Sequence, residues 1–312
     1  MALLAAIARR GIQLLPLLFG VTVITFLLLQ LVPGDPARLI VGEKASLETI
    51  AAVRERYGLD LPLPLQFLSY VTNLLHGDLG LSIRFQRPVS AIILQFLPST
   101  LFLVAYVITL VVPPTLVLAI AAARFPGGAV DQTIRILGVI GLTVPVFWLA
   151  IMMARLFSVE LGWFPASGYG DGFLDHLHHL FLPALSTAIW LIPVLTRNLR
   201  AALIDRLGAD FVTAARAQGK TETLIFWQHV LPNSVLPTLN LLGVMTAYLI
   251  GGTVIVEAVY AVPGLGRLLI ASLLGRDYYV IQGLTLVYAV STVLVTLVVD
   301  VLSALIDPRV RL

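Results

Sequence analysis

The chain has 312 residues, 59% of them hydrophobic and only 12% charged, with a formal net charge of +3 and no cysteine. Soluble domains carry roughly 25% charged and about 45–50% apolar residues, so an ordinary soluble enzyme, a nucleic-acid-binding domain and a disordered chain are excluded, and the mean hydropathy of +0.97 agrees. The weak net charge implies no nucleic-acid partner, and without cysteine there are no disulfides, thiol catalysis or thiolate metal sites.

The apolar residues fall into six long runs, at 12–31, 101–123, 134–157, 182–203, 235–258 and 283–305. Each reaches the roughly 18–20 residues of a membrane-spanning helix. Single strands cannot cross lipid with unpaired backbone groups, and the runs lack the alternation of barrel strands. The expected fold is therefore all-α and integral to the membrane, with six transmembrane helices.

Arg9 and Arg10 precede the first run. They read as a positive anchor for a span that stays, because no A-x-A-like cleavage site follows. Residues 33–98 form a long loop with balanced charge, in which 47–57 and 63–75 show helical spacing. Gly77 and Gly80 stop the second of these, since glycine takes the left-handed cap. The loop after the second run brings Arg124 and Arg135, and Arg197, Arg200, Arg206, Arg216 and Lys220 follow the fourth. With Arg309 and Arg311 these basic residues fall on one side, against Arg267, Arg276 and Arg155 on the other. The positive-inside rule then places both termini in the cytoplasm and the loop 33–98 outside. Pro113, Pro114, Pro145 and Pro193 lie inside runs and predict kinks. No internal repeat is evident, whereas an inverted-repeat transporter has matched halves.

Several motifs suggest chemistry their surroundings do not support. Gly219, Lys220 and Thr221 are the tail of a phosphate-binding loop, but Ala214 stands where its first glycine belongs and no strand precedes it. Gly168, Gly170 and Asp171 match the G-x-G-D of intramembrane aspartyl proteases, yet Asp171 falls in an outer loop and no span offers a credible partner carboxylate. His176, His178 and His179 beside Asp175 have the chemistry of a nickel or zinc site. Their spacing does not put all three on one helix face, and a polar loop at the mouth of the fourth span is the plainer reading. Asp300 lies inside the last span, where a carboxylate is a functional candidate; pairing with Arg135 or Arg197 is the structural alternative. No metal-binding residues are assigned.

The most informative stretch is 206–232. A helix of small residues from Asp210 ends at Gly219, and Thr221 suits the N-cap of a second short helix with Glu222 in its first turn. Pro232 marks entry to the fifth span. Two short helices and a sharp turn then lie on the membrane face, where they could also rest on lipid headgroups. In the fifth span Asn240, Gly243, Ala247 and Gly251 share one helical face, with Thr246 and Thr253 nearby. This small, mildly polar face suits either a pore lining or helix packing.

The pattern at Thr213, Ala214, Ala215, Gly219, His229, Leu231 and Pro232 resembles the E-A-A-x3-G-x9-I-x-L-P loop of binding-protein-dependent ABC importers. Thr213 stands for Glu and His229 for Ile, and Lys220 lies within the motif. Val32-Pro-Gly-Asp-Pro36, Gly77-Asp-Leu-Gly80 with Ser82, and Asp307-Pro-Arg309 further resemble the B-type permease of the dipeptide, oligopeptide and nickel branch. The resemblance implies a type I importer permease, non-catalytic and without a cofactor of its own. It divides the chain into 1–32, an external helical subdomain at 33–98, and a permease core at 99–312. It implies a bacterial inner-membrane location amid membrane lipid, a C-type permease as heterodimer partner, two ATPase subunits that bind ATP and Mg, and an extracytoplasmic binding protein. Thr213–Pro232 would be the ATPase-coupling site. Di- or oligopeptides are the implied cargo, with nickel, glutathione, opines or oligosaccharides as alternatives. An ATP-independent secondary transporter is the reading from a different class, and a membrane protease acting through Asp171 is another.

Overall fold

The computed structural model describes residues 2–31, 38, 46–56 and 60–306. They are helical apart from turns and one isolated bridge between Leu81 and Pro88. Helix α1 is Ala2–Leu31, followed by α2 (Leu47–Arg56) and α3 (Leu63–Leu75). Next come α4 (Val89–Arg124), α5 (Ala129–Thr143), α6 (Val146–Met153, continued by a π-helical turn Ala154–Glu160) and α7 (Phe173–Leu207). Two short helices, α8 (Asp210–Ala217) and α9 (Glu222–Ile225), lead through a π-helical turn Phe226–Val230 into α10 (Leu231–Gly252). The chain ends with α11 (Val254–Val259), α12 (Leu265–Leu274) and α13 (Tyr278–Ile306). Val32–Pro36 and Asp307–Arg309, which carried part of the resemblance, lie outside the described residues.

All six expected runs fall on helices. Four unbroken stretches are long and apolar enough to cross a membrane: Val89–Arg124, Phe173–Leu207, Glu222–Val259 and Tyr278–Ser303. Helix α1 carries a shorter apolar stretch, Gly11–Leu27. The third expected span, 134–157, is not one rod. Helices α5 and α6 meet at 93°, the geometry of a broken span or of a re-entrant loop. The break sits where Val144 adopts an extended backbone (φ −75°, ψ 122°) ahead of Pro145, because the proline ring disfavours helical geometry in the residue before it. Pro113, Pro114 and Pro193 remain inside continuous helices.

Helices α4 and α7 form the centre of the bundle, packed along each other by Leu103, Val104, Val107 and Val111 against Leu182, Ala184, Ala188, Leu191 and Leu195. Tyr260, fully buried, donates its hydroxyl to the Ala150 carbonyl at 2.9 Å and so pins the end of α11 to α6. A second core joins α12 and α13 to the start of α4. There the loop before α4 is clamped to the turn before α13: Ser82 Oγ donates to Asp277 at 2.5 Å, with the Arg84 amide on the same carboxylate at 3.2 Å. Gly80 (φ +85°) lets this loop pass against the Tyr279 ring. The glycines and Ser82 of the Gly77–Ser82 motif thus hold a cross-link between segments nearly 200 residues apart.

The fourth expected span also starts earlier than its apolar run. Helix α7 begins at Phe173, so the three histidines sit on its first turns and not in a loop. Two of the rings are engaged with the preceding loop, His176 with the Tyr169 carbonyl (2.8 Å) and His178 with the Trp163 carbonyl (3.0 Å), and His179 pairs with Asp175 one turn back in the helix (3.1 Å). Among the described residues no group of three or more His, Asp or Glu side chains is placed to hold a metal ion. Gly168, Gly170 and Gly172 have positive φ and fold the loop into a tight turn, in which the Asp171 amide donates to Asp175 at 2.8 Å.

Candidate functional site

Helices α8 and α9 make a short elbow. Helix α8 ends in a Schellman cap: the Gly219 amide donates to the Arg216 carbonyl at 2.9 Å, and that of Lys220 to Ala215 at 3.3 Å. Gly219 sits at φ +76° with no atom near the position of an absent Cβ. Backbone conformation, not space, requires glycine here. Thr221 takes the N-cap of α9, its hydroxyl accepting the Leu224 amide at 3.4 Å.

Two side-chain ties fix the angle between the helices. Arg216 meets Glu222 through two hydrogen bonds, at 2.7 and 3.1 Å. Lys220 donates to His229 Nε2 at 3.2 Å, which gives His229 a use where the family motif carries Ile. The π-helical turn then turns the chain upward. Asn233 donates to the His229 carbonyl at 2.6 Å and Ser234 to that of Val230 at 2.8 Å, satisfying carbonyls at the entry of α10. Leu231 is half-buried there and Pro232 is exposed in the first turn of α10, where it costs no helical hydrogen bond.

The elbow has an inner and an outer face. Val212 and Ala215 are buried with Ile225 and Val230 against Ala119 and Ala123 of α4 and Leu199 and Leu203 of α7. Thr213, Ala214 and Gly219 face outward, beside the exposed Phe211, Leu224 and Trp227. The small residues therefore divide by role. Ala215 leaves α8 close to the bundle, and Ala214 keeps the outward surface low between apolar side chains.

The face singled out in the fifth span is split. Gly243 is buried against Val299 of α13, which occupies the space a Cβ would need. The Asn240 side-chain oxygen accepts the Ser303 hydroxyl at 2.7 Å, and Thr246 bonds its own helix at Leu242. Thr253 is buried and donates to Glu257 at 3.1 Å. These contacts are helix packing and local bonding, which a single helix's sequence cannot distinguish from a pore wall. Ala247 and Gly251 differ: both line an open cavity of about 440 Å³ between α1, α10 and α13, with Tyr288 and Thr292.

Three buried carboxylates were not singled out from the sequence. Asp277 clamps the outer loop. Asp131 bonds Arg200 of α7. Glu257 accepts Thr100 (2.7 Å), Thr253 and the amides of Gly266 (2.7 Å) and Arg267 (3.2 Å), joining α4, α11 and α12. A carboxylate at the end of an apolar run was the available signal for Glu257. For Asp131 the signal was an acid among arginines, which a count of positive charge alone passes over. Arg135, one of the two arginines considered for Asp300, stands 3.8 Å from Asp131.

Residues 115–312 match the model of the binding-protein-dependent transport system inner membrane component, and residues 3–104 match that of its N-terminal part. The chain belongs to this family. It is 38% identical over 310 residues to a Brucella abortus protein named as a peptide transport system permease, covering 98% of this chain and 99% of that one. It is 40% identical over 306 residues to the glutathione transport system permease protein of Salmonella choleraesuis, covering 98% of each. A chain of the MetNI methionine ABC transporter in an inward-facing form shares the fold at a TM-score of 0.53 and 17% identity, over 69% of this chain and 96% of that one. A chain of an amino acid ABC transporter crystallised with histidines does so at 0.50 and 16%, over 71% and 95%.

As a binding-protein-dependent transport permease, the chain is a multi-pass inner-membrane subunit of an ABC importer. Such a permease works with an ATPase and a substrate-binding protein. The elbow is seated on the two central helices and carries exposed apolar side chains on its outer surface.

Proposed function

We propose that this permease is one half of a heterodimer with a C-type permease, and that it moves peptides or peptide-like compounds inward. Two ATPase subunits would bind ATP and Mg and dock on the elbow. This chain would do no covalent chemistry and hold no cofactor. The termini and elbow would lie in the cytoplasm, and the segment 33–98 outside, facing the binding protein. Glutathione is itself a modified tripeptide, so the names of both relatives point to one cargo class.

The observation that carries the coupling role is the burial of Val212 and Ala215 among Ala119, Ala123, Leu199 and Leu203. Protein interiors are close-packed and transmit displacement. A push on the outer face of α8 therefore reaches α4 and α7, the centre of the bundle, without a hinge between. The two ties and the Schellman cap keep the elbow from absorbing that push itself.

Ala214→Trp and Gly219→Trp test this. Both put bulk on the outer face, and Ala214→Trp does so without backbone strain. In the reconstituted complex both abolish the stimulation of ATP hydrolysis by loaded binding protein, while the complex still assembles in the membrane. Unchanged stimulation in Ala214→Trp would remove the elbow from the coupling path. Comparing peptide pools, glutathione and nickel as loads then tests the cargo class separately.

A further inference from the structure

A groove of about 370 Å³ runs between α4, α5 and α7, away from the elbow's outer face and from the cavity at Ala247. Its walls are apolar: Leu118, Ile134, Leu137, Leu142, Ile189 and Ile192. Its floor is set by Gly138 and Gly141, whose missing side chains let α5 approach Pro193 and the Ile189 carbonyl. At one end three arginines line it, Arg135, Arg197 and Arg200. That end adjoins the layer where Leu199 and Leu203 meet the elbow.

Two further features bear on what fills it. Arg200 is engaged by Asp131, and Arg135 stands at 3.8 Å from the same carboxylate. Arg197 is exposed and makes no ion pair among the described residues. Two of the three cations share one acid and the third has no ion pair among the described residues, so the groove end is positive. Thr196 also lines the groove; it is 4% exposed, and its hydroxyl has no hydrogen-bond partner. A buried hydroxyl without a partner is costly, and a turn of the side chain about χ1 would offer it to an acceptor in the groove.

We propose that this groove binds an anionic phospholipid, with the phosphate at Arg135 and Arg197, an ester or phosphate oxygen near Thr196, and one acyl chain along α5 and α7. The dimensions suit it. From Arg200 to Ile189 is about 16 Å along α7 at a rise of about 1.5 Å per residue, close to the roughly 15 Å of one leaflet's hydrocarbon. Basic pockets between spans at the membrane surface are a recognised form of anionic headgroup site. The lipid would brace α5 against α7 beside the elbow. The site is independent of the cargo and of the elbow's docking role.

The test uses the assembled complex. Native mass spectrometry after mild extraction counts bound lipid in wild type, in Arg135→Gln/Arg197→Gln, and in Thr196→Val. Both arginines are exposed, and losing the 3.8 Å approach of Arg135 to Asp131 leaves the two-bond Arg200–Asp131 pair in place, so the double variant is expected to fold, which its monodispersity checks. Expected is phosphatidylglycerol or cardiolipin retained by wild type, with roughly fivefold less retained per arginine removed and a smaller loss in Thr196→Val. Reconstitution in phosphatidylcholine vesicles with and without phosphatidylglycerol gives the functional reading: ATP hydrolysis responds to the anionic lipid in wild type and not in the double variant. Equal retention of anionic lipid by wild type and double variant overturns the proposal. So does a cross-link from Leu137→Cys, in this cysteine-free chain, to the partner permease, since the groove would then be covered by protein.

Discussion

Arg200 holds Asp131 with two hydrogen bonds of 2.6 Å, one from Nε and one from a terminal nitrogen. Asp131 has no exposed surface, and the Gly127 amide adds a third bond at 2.9 Å. A planar guanidinium on a carboxylate is the strong, directional form of such a pair. It fixes the start of α5 to α7, next to the core under the elbow.

Asp131→Asn is expected to destabilise the complex by roughly 1.5–3 kcal/mol, the value of hydrogen bonds to charged groups. Arg200→Gln should do the same. The double variant should recover part of the loss, since it leaves no uncompensated charge. Thermal unfolding of the purified complex, read by monodispersity, checks the order. Additive losses in the double variant would show that the two residues act separately.

Glu257 offers a sharper case. Among the described residues every hydrogen-bond partner of its carboxylate is a donor: two hydroxyls and two backbone amides. A glutamine of the same shape would turn a donor toward donors. Glu257→Gln is therefore expected to cost about 1–3 kcal/mol, the penalty of unsatisfied buried groups. Gly264→Ala should be as damaging, because its Cβ would fall on the Glu257 carboxylate. Thr253→Ala, which removes only the longer hydroxyl bond, should be milder. Yield and thermal midpoint of the complex rank the three.

Much of this was legible in the chain, for definite reasons. Apolar runs give spans, because the bilayer accepts little else. The elbow was legible because Gly219, Thr221 and Pro232 each demand a local backbone state, and the structure places a left-handed residue, an N-cap and a helix start there. Pro145 predicted a kink, but a 93° break depends on what α5 and α6 pack against. The start of α7 at Phe173 was hidden because its first turns carry histidines and an aspartate. The carboxylates escaped because their partners lie far off in sequence: Thr100 is 157 residues from Glu257.

The two glycines of α10 show the same limit and make a third prediction. By spacing, Gly243 and Gly251 are equivalent. In the fold Gly243 is packed into Val299, and a Cβ on Gly251 would meet nothing within 4 Å. Gly243→Leu should separate α10 from α13 and abolish assembly, an overpacking cost of about 1–3 kcal/mol or more. Gly251→Leu should assemble normally and narrow the cavity at Ala247 and Tyr288. Membrane expression separates them, and transport by Gly251→Leu reports whether cargo passes that cavity. A folded Gly243→Leu would mean the α10–α13 contact is looser than this packing requires.

The last prediction concerns how rigid the elbow must be. Lys220 and His229 close it on one side and Arg216 and Glu222 on the other, with Gly219 at the bend. Lys220→Met removes the first tie and leaves the outer face of Ala214 and Thr213 unaltered. Glu222→Gln weakens the second. If the elbow passes motion as a rigid piece, the double variant still docks the ATPase, so basal hydrolysis persists, but less substrate moves per ATP. Gly219→Val should act in the same direction through the bend, because a β-branched residue is strained at φ +76°. The measurement is the ratio of transport to hydrolysis in proteoliposomes. A ratio unchanged in both variants would mean that docking alone drives the spans, and that the two ties serve only to fold the loop.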